Sequence, residues 1–341
     1  MQFKKSFLAN VTSVSTSAIL GIWAAFSGYG VWSLVIQYIT NRIIATLSFY
    51  LLNRWLPKFT YSWNAVKSLF SYGWKLMESS MLSTLSADIY SLVIGKYFSK
   101  AQLGIFDTGN KIPNNLGNTV ATTVGTVLFS AFSKVQNNPD QIRSYLKKAN
   151  QTSAILVFPM LLFVAAMAKP LVIYIFTEKW IEAVPYLQVA CVMYSFYPIH
   201  LANLQVAKAV GRTDLSLWVE LAKKIVDIAF LLLTVKLGLI WVAIGLTLSS
   251  LVALWINIEP IKKYINYSTI QQLKDVMPAL LSSLVTAAII YCVPIFINIS
   301  TILIIIIQCL IGFSLYIAIS FIFNREIMKS LIYQVKSIMT K

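Results

Sequence analysis

Of the 341 residues, 58% are hydrophobic and 12% are charged, and the mean hydropathy is +0.73, whereas a soluble domain carries about 25% charged residues. A water-soluble fold is excluded. The apolar residues fall in runs of about 20, the length of helix that crosses roughly 30 Å of hydrocarbon, and runs rich in Leu and Ile without two-residue alternation exclude barrel strands. The formal net charge is +16, but Lys and Arg stand in short clusters between the runs. That placement argues against nucleic acid as a partner and points to an all-α polytopic membrane protein.

The chain opens with Lys4 and Lys5 ahead of a stretch rich in Ser and Thr, Asn10 to Ser17, and the apolar run continues to Phe26 without a cleavage site. It reads as a retained helix, not a signal peptide. Ten spans are predicted, at 11–27, 31–51, 72–95, 112–133, 152–174, 184–206, 216–235, 239–257, 276–297 and 301–323. Very short links at Ser27 to Gly30, Lys236 to Leu239 and Asn298 to Ser300 pair neighbouring spans as hairpins. Pro113, Pro159, Pro170, Pro185, Pro198, Pro278 and Pro294 lie in or beside spans, where a lost backbone hydrogen bond permits bending.

Lys and Arg in the links and at the span ends set orientation. Eighteen of them, Lys4 to Lys341, fall on one side and six, Lys96, Lys100, Lys111, Lys169, Lys179 and Lys236, on the other. An even number of spans with both termini cytoplasmic follows. The tail from Asn324 to Lys341 places Ile327, Met328, Leu331, Ile332, Val335, Ile338 and Met339 on one helical face opposite Arg325, Lys329 and Lys336. Such a helix lies on the cytoplasmic leaflet, held by membrane lipids. Gly28 to Trp32 and Leu237 to Trp241 resemble each other, a faint internal repeat of a kind known in transporters.

Ionisable side chains within spans cost about 2.5 to 3.5 kcal/mol each on insertion scales and normally face protein or water. Glu220, Lys223, Lys224 and Asp227 fall at i, i+3, i+4 and i+7 on one helix face. On the third span Lys75 and Glu78 stand one turn apart and Asp88 farther along, and Arg42 lies within the second span. Each of these also has a structural reading, as a snorkelling cation or an ion pair. Read as lumen residues, Arg42, Lys75, Lys223 and Lys224 form a substrate-binding set suited to phosphate. Glu78, Asp88, Glu220 and Asp227 then balance those charges or couple an ion. His200, the only histidine, sits beside Pro198 and reads as packing at a kink.

Cys191, Cys292 and Cys309 lie in apolar runs with no CxxC spacing and read as small core hydrophobes. Neither a metal site nor a cofactor is indicated. There is no Gly-rich phosphate loop, HExxH or GxSxG, so no catalytic residue is assigned and an enzyme is not expected.

Ser27-Gly28-Tyr29-Gly30-Val31-Trp32-Ser33-Leu34-Val35, Ile94-Gly95-Lys96-Tyr97-Phe98-Ser99 and Leu103-Gly104-Ile105-Phe106 resemble the Wzx-type polysaccharide flippases, close to the WzxC group. Val127 to Gln136 and Val206 to Arg212 are similar to later signatures of that family. The family belongs to the multidrug/oligosaccharidyl-lipid/polysaccharide exporter superfamily. The resemblance implies a MATE-like fold of two six-helix lobes around a central cavity, here with the first four helices absent. Residues 1–52 are then the last hairpin of the first lobe, 53–71 a cytoplasmic interlobe link, 72–258 the six-helix second lobe, 259–323 an additional helix pair and 324–341 the amphipathic tail.

The resemblance also implies an activity: flipping a lipid-linked oligosaccharide, carried on polyprenyl pyrophosphate, across the bacterial inner membrane for lipopolysaccharide O-antigen, capsule or exopolysaccharide. A polysaccharide polymerase and chain-length machinery are the implied partners. Open beside this stand a drug or small-molecule antiporter of the same superfamily, for which a more acidic lumen is expected, and an inactive truncated fragment. A membrane glycosyltransferase or polymerase would need a large periplasmic loop, whereas the longest predicted one, 96–111, has about 16 residues.

Overall fold

Two serines near the start of the chain belong to a packing face, while Thr12, Ser15 and Thr16 are exposed. Ala9, Ser13, Ser17, Gly21 and Ala24 recur at three- to four-residue spacing on helix α1 (Phe3–Phe26) and are buried, while Trp23 and Phe26 on other faces are exposed. Small residues let helix backbones approach where lipid supplies no hydrophobic drive. Helix α2 (Trp32–Asn53) lies against this seam, and Asn41 Nδ2 donates to Ser17 Oγ at 3.3 Å. Gly28, at φ +83°, takes a conformation in the intervening turn that other L-residues rarely adopt.

The computed structural model describes residues 3–53, 62–63, 66–67, 70, 90, 92–211, 213–296, 300–323 and 327–328. Among these every regular element is a helix. By internal packing the chain divides into two compact units, Met1–Ser79 and Ser80–Lys341. The first contains the α1–α2 hairpin. Lys75, Glu78 and Asp88 lie outside the described residues, as does most of the tail; Ile327 and Met328 pack on a core cluster built around Phe158 and Ile258.

The second unit contains α3 (Lys100–Lys134), α4 (Pro139–Ala166), α5 (Ala168–Phe176), α6 (Val184–Ser195), α7 (Tyr197–Ala209), α8 (Thr213–Thr234), α9 (Leu239–Ile265), α10 (Thr269–Phe296) and α11 (Thr301–Phe323). Helix α3 packs on α6 and α7, α4 on α10 and α6, α8 on α9, and α11 on α10 and α5. The α3 contact is another small-residue seam: Gly109, Pro113, Gly117, Ala121 and Gly125 are all buried.

Helix α11 shows the membrane pattern clearly. Its buried positions are Gln308, Gly312, Tyr316 and Ser320, every fourth residue, while Ile302, Leu310, Phe313 and Ile322 are exposed. Two of the inward donors find partners: Gln308 Nε2 donates to the Ile290 carbonyl at 2.9 Å and the Tyr316 hydroxyl to that of Ile155 at 2.9 Å. Hydrocarbon tolerates the outward Ile and Phe and would leave Gln unpaired, so the usual inside-out order of a soluble helix is reversed.

Several predicted limits move. The 16-residue link at 96–111 is mostly helix, because Ser99 caps α3 through a reciprocal pair of bonds with Gln102. Asn138 caps α4, with Pro139 in its first turn, so the basic link before residue 152 is helix too. The predicted span 184–206 is two helices parted at Phe196, ahead of Pro198, and 152–174 is parted at Met167, ahead of Pro170. Pro113, Pro159, Pro278 and Pro294 stay inside unbroken helices. Of the three cysteines only Cys191 is buried; Cys292 and Cys309 are exposed on the helix surface, not core residues.

Near the start of α10 a polar cluster joins three helices. Gln272 Oε1 accepts from Asn150 Nδ2 at 3.0 Å and Asn203 Nδ2 at 2.9 Å, and Gln272 Nε2 donates to Asn203 Oδ1 at 3.0 Å. Beside it Asp275 takes the Lys147 ammonium at 2.9 Å and the Tyr267 hydroxyl at 2.6 Å. Burial, then that bond to Asp275, hold the Tyr267 phenol well above its ordinary range against the opposing Arg143 guanidinium. It therefore remains a donor at physiological pH. Gln272→Leu is expected to destabilise the chain by roughly 1 to 3 kcal/mol for each donor left unpaired, seen as earlier thermal unfolding in lipid nanodiscs. An unchanged transition would show the cluster to be idle.

Candidate functional site

The charged stripe of α8 faces a cavity. Glu220, Lys223, Lys224 and Asp227 all line a volume of about 530 Å³ between α3, α6, α7, α8 and α9. A helix places i, i+3, i+4 and i+7 on one side, and tertiary packing turns that side inward, where water and polar walls replace hydrocarbon.

The four charges form two pairs of unequal tightness. Lys223 Nζ meets Glu220 Oε1 at 2.9 Å, whereas Lys224 Nζ stands 4.0 Å from Asp227 Oδ2. Asp227 is fixed independently: Ser249 Oγ of α9 donates to its Oδ1 at 2.8 Å, and the Tyr90 phenol bonds the same carboxylate. Lys224 is thus the cation least committed to its partner. It is a point charge on a flexible stem, able to turn toward an incoming anion.

The opposite wall comes from α3 and carries mostly uncharged polar groups. Asp107 is followed by Asn110, Asn114 and Asn118, all lining the cavity. Asn110 donates to the Phe106 carbonyl at 2.9 Å, and Asn118 donates to Asn114. The end of α6 and the start of α7 add Tyr194 and Tyr197, edge to face with centroids 6.2 Å apart. The sequence reading assigned none of these residues. The signal lies in the four-residue spacing of three asparagines on one helix, which neither charge nor hydropathy singles out.

Arg42 lies in the other unit, on α2, where it is exposed; its Nη2 donates to the Tyr38 hydroxyl at 3.1 Å and its guanidinium covers that ring at 5.1 Å. His200, read as packing at a kink, is buried just after the helix break at Phe196 and also borders the cavity. Among the described residues no group of three or more His, Cys, Asp or Glu is arranged to hold a metal ion.

Among the described residues six helices are long and apolar enough to cross a membrane by length and composition: α1, α2, α4, α9, α10 and α11. The other long helices, α3 and α8, and the divided pair α6–α7 line the cavity. Helices α6 and α7 fall short by length, at 12 and 13 residues.

The family described as "Polysaccharide biosynthesis protein" matches residues 1–185. The chain is 23% identical over 225 residues to the succinoglycan biosynthesis transport protein ExoT of Rhizobium meliloti (strain 1021), covering 66% of this chain and 46% of that protein. To the lipopolysaccharide biosynthesis protein WzxC of Escherichia coli (strain K12) it is 26% identical over 253 residues, 72% of this chain and 50% of that one. To the teichuronic acid biosynthesis protein TuaB of Bacillus subtilis (strain 168) it is 27% identical over 165 residues, 48% and 34%. The chain spans half or less of the length of these relatives. The lipid II flippase MurJ, in an inward closed conformation, superposes with a TM-score of 0.72 at 19% identity, over 93% of this chain and 67% of that one, a likeness of fold. With more than half of its length matched, this multi-pass, all-helical chain belongs to the polysaccharide biosynthesis protein family.

Proposed function

We propose that this chain moves a polyprenyl-pyrophosphate-linked oligosaccharide across the bacterial cytoplasmic membrane by alternating access, during surface polysaccharide assembly, with both termini cytoplasmic. The observation that carries the reading is one cavity with a charged wall, Glu220 to Asp227, and a second wall of amides and phenols that also carries Asp107. A pyrophosphate joined to sugars needs cations for one part and hydroxyl partners for the other. Lys224 and Lys223 meet the pyrophosphate, with Asp227 and Glu220 restoring neutrality once it leaves. Arg42 and Lys75 supply further cations, and Glu78 and Asp88 further carboxylates. Residues 72–258 form the transporting lobe, 259–323 an added helix pair, and a polymerase and chain-length proteins receive the product. The chemistry is movement without bond cleavage, so no catalytic group is assigned.

The test is complementation of a strain lacking its own flippase, with surface polymer and accumulated lipid-linked precursor as readouts. The chain is expressed alone and extended upstream in its reading frame. Restored polymer with falling precursor, in either form, is the expected result. Persistent precursor despite membrane insertion of both would overturn the reading and favour another cargo, as in a drug antiporter.

A further inference from the structure

Two membrane-length helices of the second unit carry proline in the helix interior, Pro159 in α4 and Pro294 in α10. Proline has no backbone N–H, so Pro159 deprives the Ile155 carbonyl of its helical donor and Pro294 does the same to that of Ile290. Ile155 and Ile290 are both buried, and at membrane depth no water takes the missing donor's place. One helix, α11, serves both carbonyls. The Tyr316 hydroxyl donates to Ile155 at 2.9 Å and Gln308 Nε2 to Ile290 at 2.9 Å.

The fit of α11 agrees with that pairing. Gln308, Gly312 and Tyr316 succeed one another along its buried stripe. A Cβ at Gly312 would stand 2.5 Å from Ile290 Cδ1 and 3.3 Å from Phe163 Cε2, so glycine lets α11 sit close to α10 and α4 together. The Phe163 and Tyr316 rings meet edge to face, with centroids 5.9 Å apart.

The α4 joint also reaches the cavity. Phe158, next to Pro159, packs edge to face on Phe196, with centroids 5.3 Å apart. Phe196 is the break between α6 and α7, and Tyr194 and Tyr197 on either side of it line the cavity. A helix lacking one backbone bond bends readily at that point unless an outside donor fixes it.

We propose that α11 is a brace across these two proline joints and that Tyr316, outside the cavity, is a positioning residue. Through Ile155, Phe158 and Phe196 its hydroxyl sets where Tyr194 and Tyr197 stand in the cavity wall. The brace rests on these contacts and not on the flippase reading, to which it adds a control of cavity shape from the lipid-facing helix pair.

The experiment begins with melting temperatures of the full chain in lipid nanodiscs. Tyr316→Phe keeps the ring and removes the hydroxyl, while Pro159→Ala returns an N–H to the Ile155 carbonyl. Tyr316→Phe is expected to lower the melting temperature by roughly 2 °C, the scale of one buried hydrogen bond, and to have little effect once Pro159→Ala is present. Gln308→Leu should depend on Pro294→Ala in the same way, so a second pair decides if one proline variant does not fold. The crossed pairs, Tyr316→Phe with Pro294→Ala and Gln308→Leu with Pro159→Ala, should be additive. Additive shifts in all four combinations would mean ordinary packing and overturn the brace.

Positioning is read from Tyr197→Cys, placed in a chain carrying Cys191→Ala, Cys292→Ala and Cys309→Ala and labelled with a water-soluble maleimide. Adding Tyr316→Phe is expected to change the labelling rate about fivefold, within the range of couplings carried by packed side chains. Adding Pro159→Ala as well should return the rate to its starting value, and Pro294→Ala should not. A rate indifferent to Tyr316→Phe, or a change that Pro159→Ala does not reverse, overturns the positioning role.

Discussion

Gly109→Leu is expected to destabilise the chain by about 3 kcal/mol, the upper part of the range for overpacking a tight contact, and to lower its melting temperature in nanodiscs by several degrees. A Cβ at Gly109 would sit 2.7 Å from Tyr186 Cβ, 2.9 Å from the Ala183 carbonyl oxygen and 3.0 Å from the Leu187 nitrogen. Two of those atoms belong to the backbone and cannot swing aside. The displaced segment also carries Tyr194, so the cavity wall moves with it. Gly104 on the same helix supplies the opposite sign: a Cβ there meets nothing closer than 3.9 Å. Gly104→Ala should therefore raise stability by up to about 1 kcal/mol through helix propensity alone. Equal effects at the two positions would show that backbone entropy, not close approach, governs α3.

Asp227→Ala should reduce surface polymer at least about tenfold in the complementation assay, equivalent to roughly 1.4 kcal/mol of barrier. The substitution releases Ser249 and Tyr90 from their acceptor and leaves Lys224 without a counter-charge when the cavity is empty. Asp227→Asn keeps an acceptor and removes only the charge. If charge balance is the role, both variants fail at normal membrane levels. Full transport by Asp227→Asn would reduce the role to positioning, and full transport by both would remove Asp227 from the mechanism.

The α8 stripe was legible because helical periodicity is strictly local: four charges at i, i+3, i+4 and i+7 share a face whatever surrounds them. The cost of charge in hydrocarbon then says that this face avoids lipid. The caps of α3 and α4 were equally local, at Ser99 with Gln102 and at Asn138, but apolar runs mark the membrane-embedded part of a helix and not its ends. The break at Phe196 and the burial of His200 agree with packing at a kink, while its place beside a cavity depends on α8 and α9, distant in sequence.

By itself the sequence determined the class: an all-helical membrane protein with a charged helix face turned from lipid. These rest on composition and on periods of three to four residues, which need no knowledge of partners. Only the tertiary structure decided which helices meet that charged face. Opposite it stand Asn110, Asn114 and Asn118, and between lie two tyrosines and a buried histidine. Polar neutral residues carry too small an insertion cost to betray their direction individually, and a cavity is a property of several helices packed together.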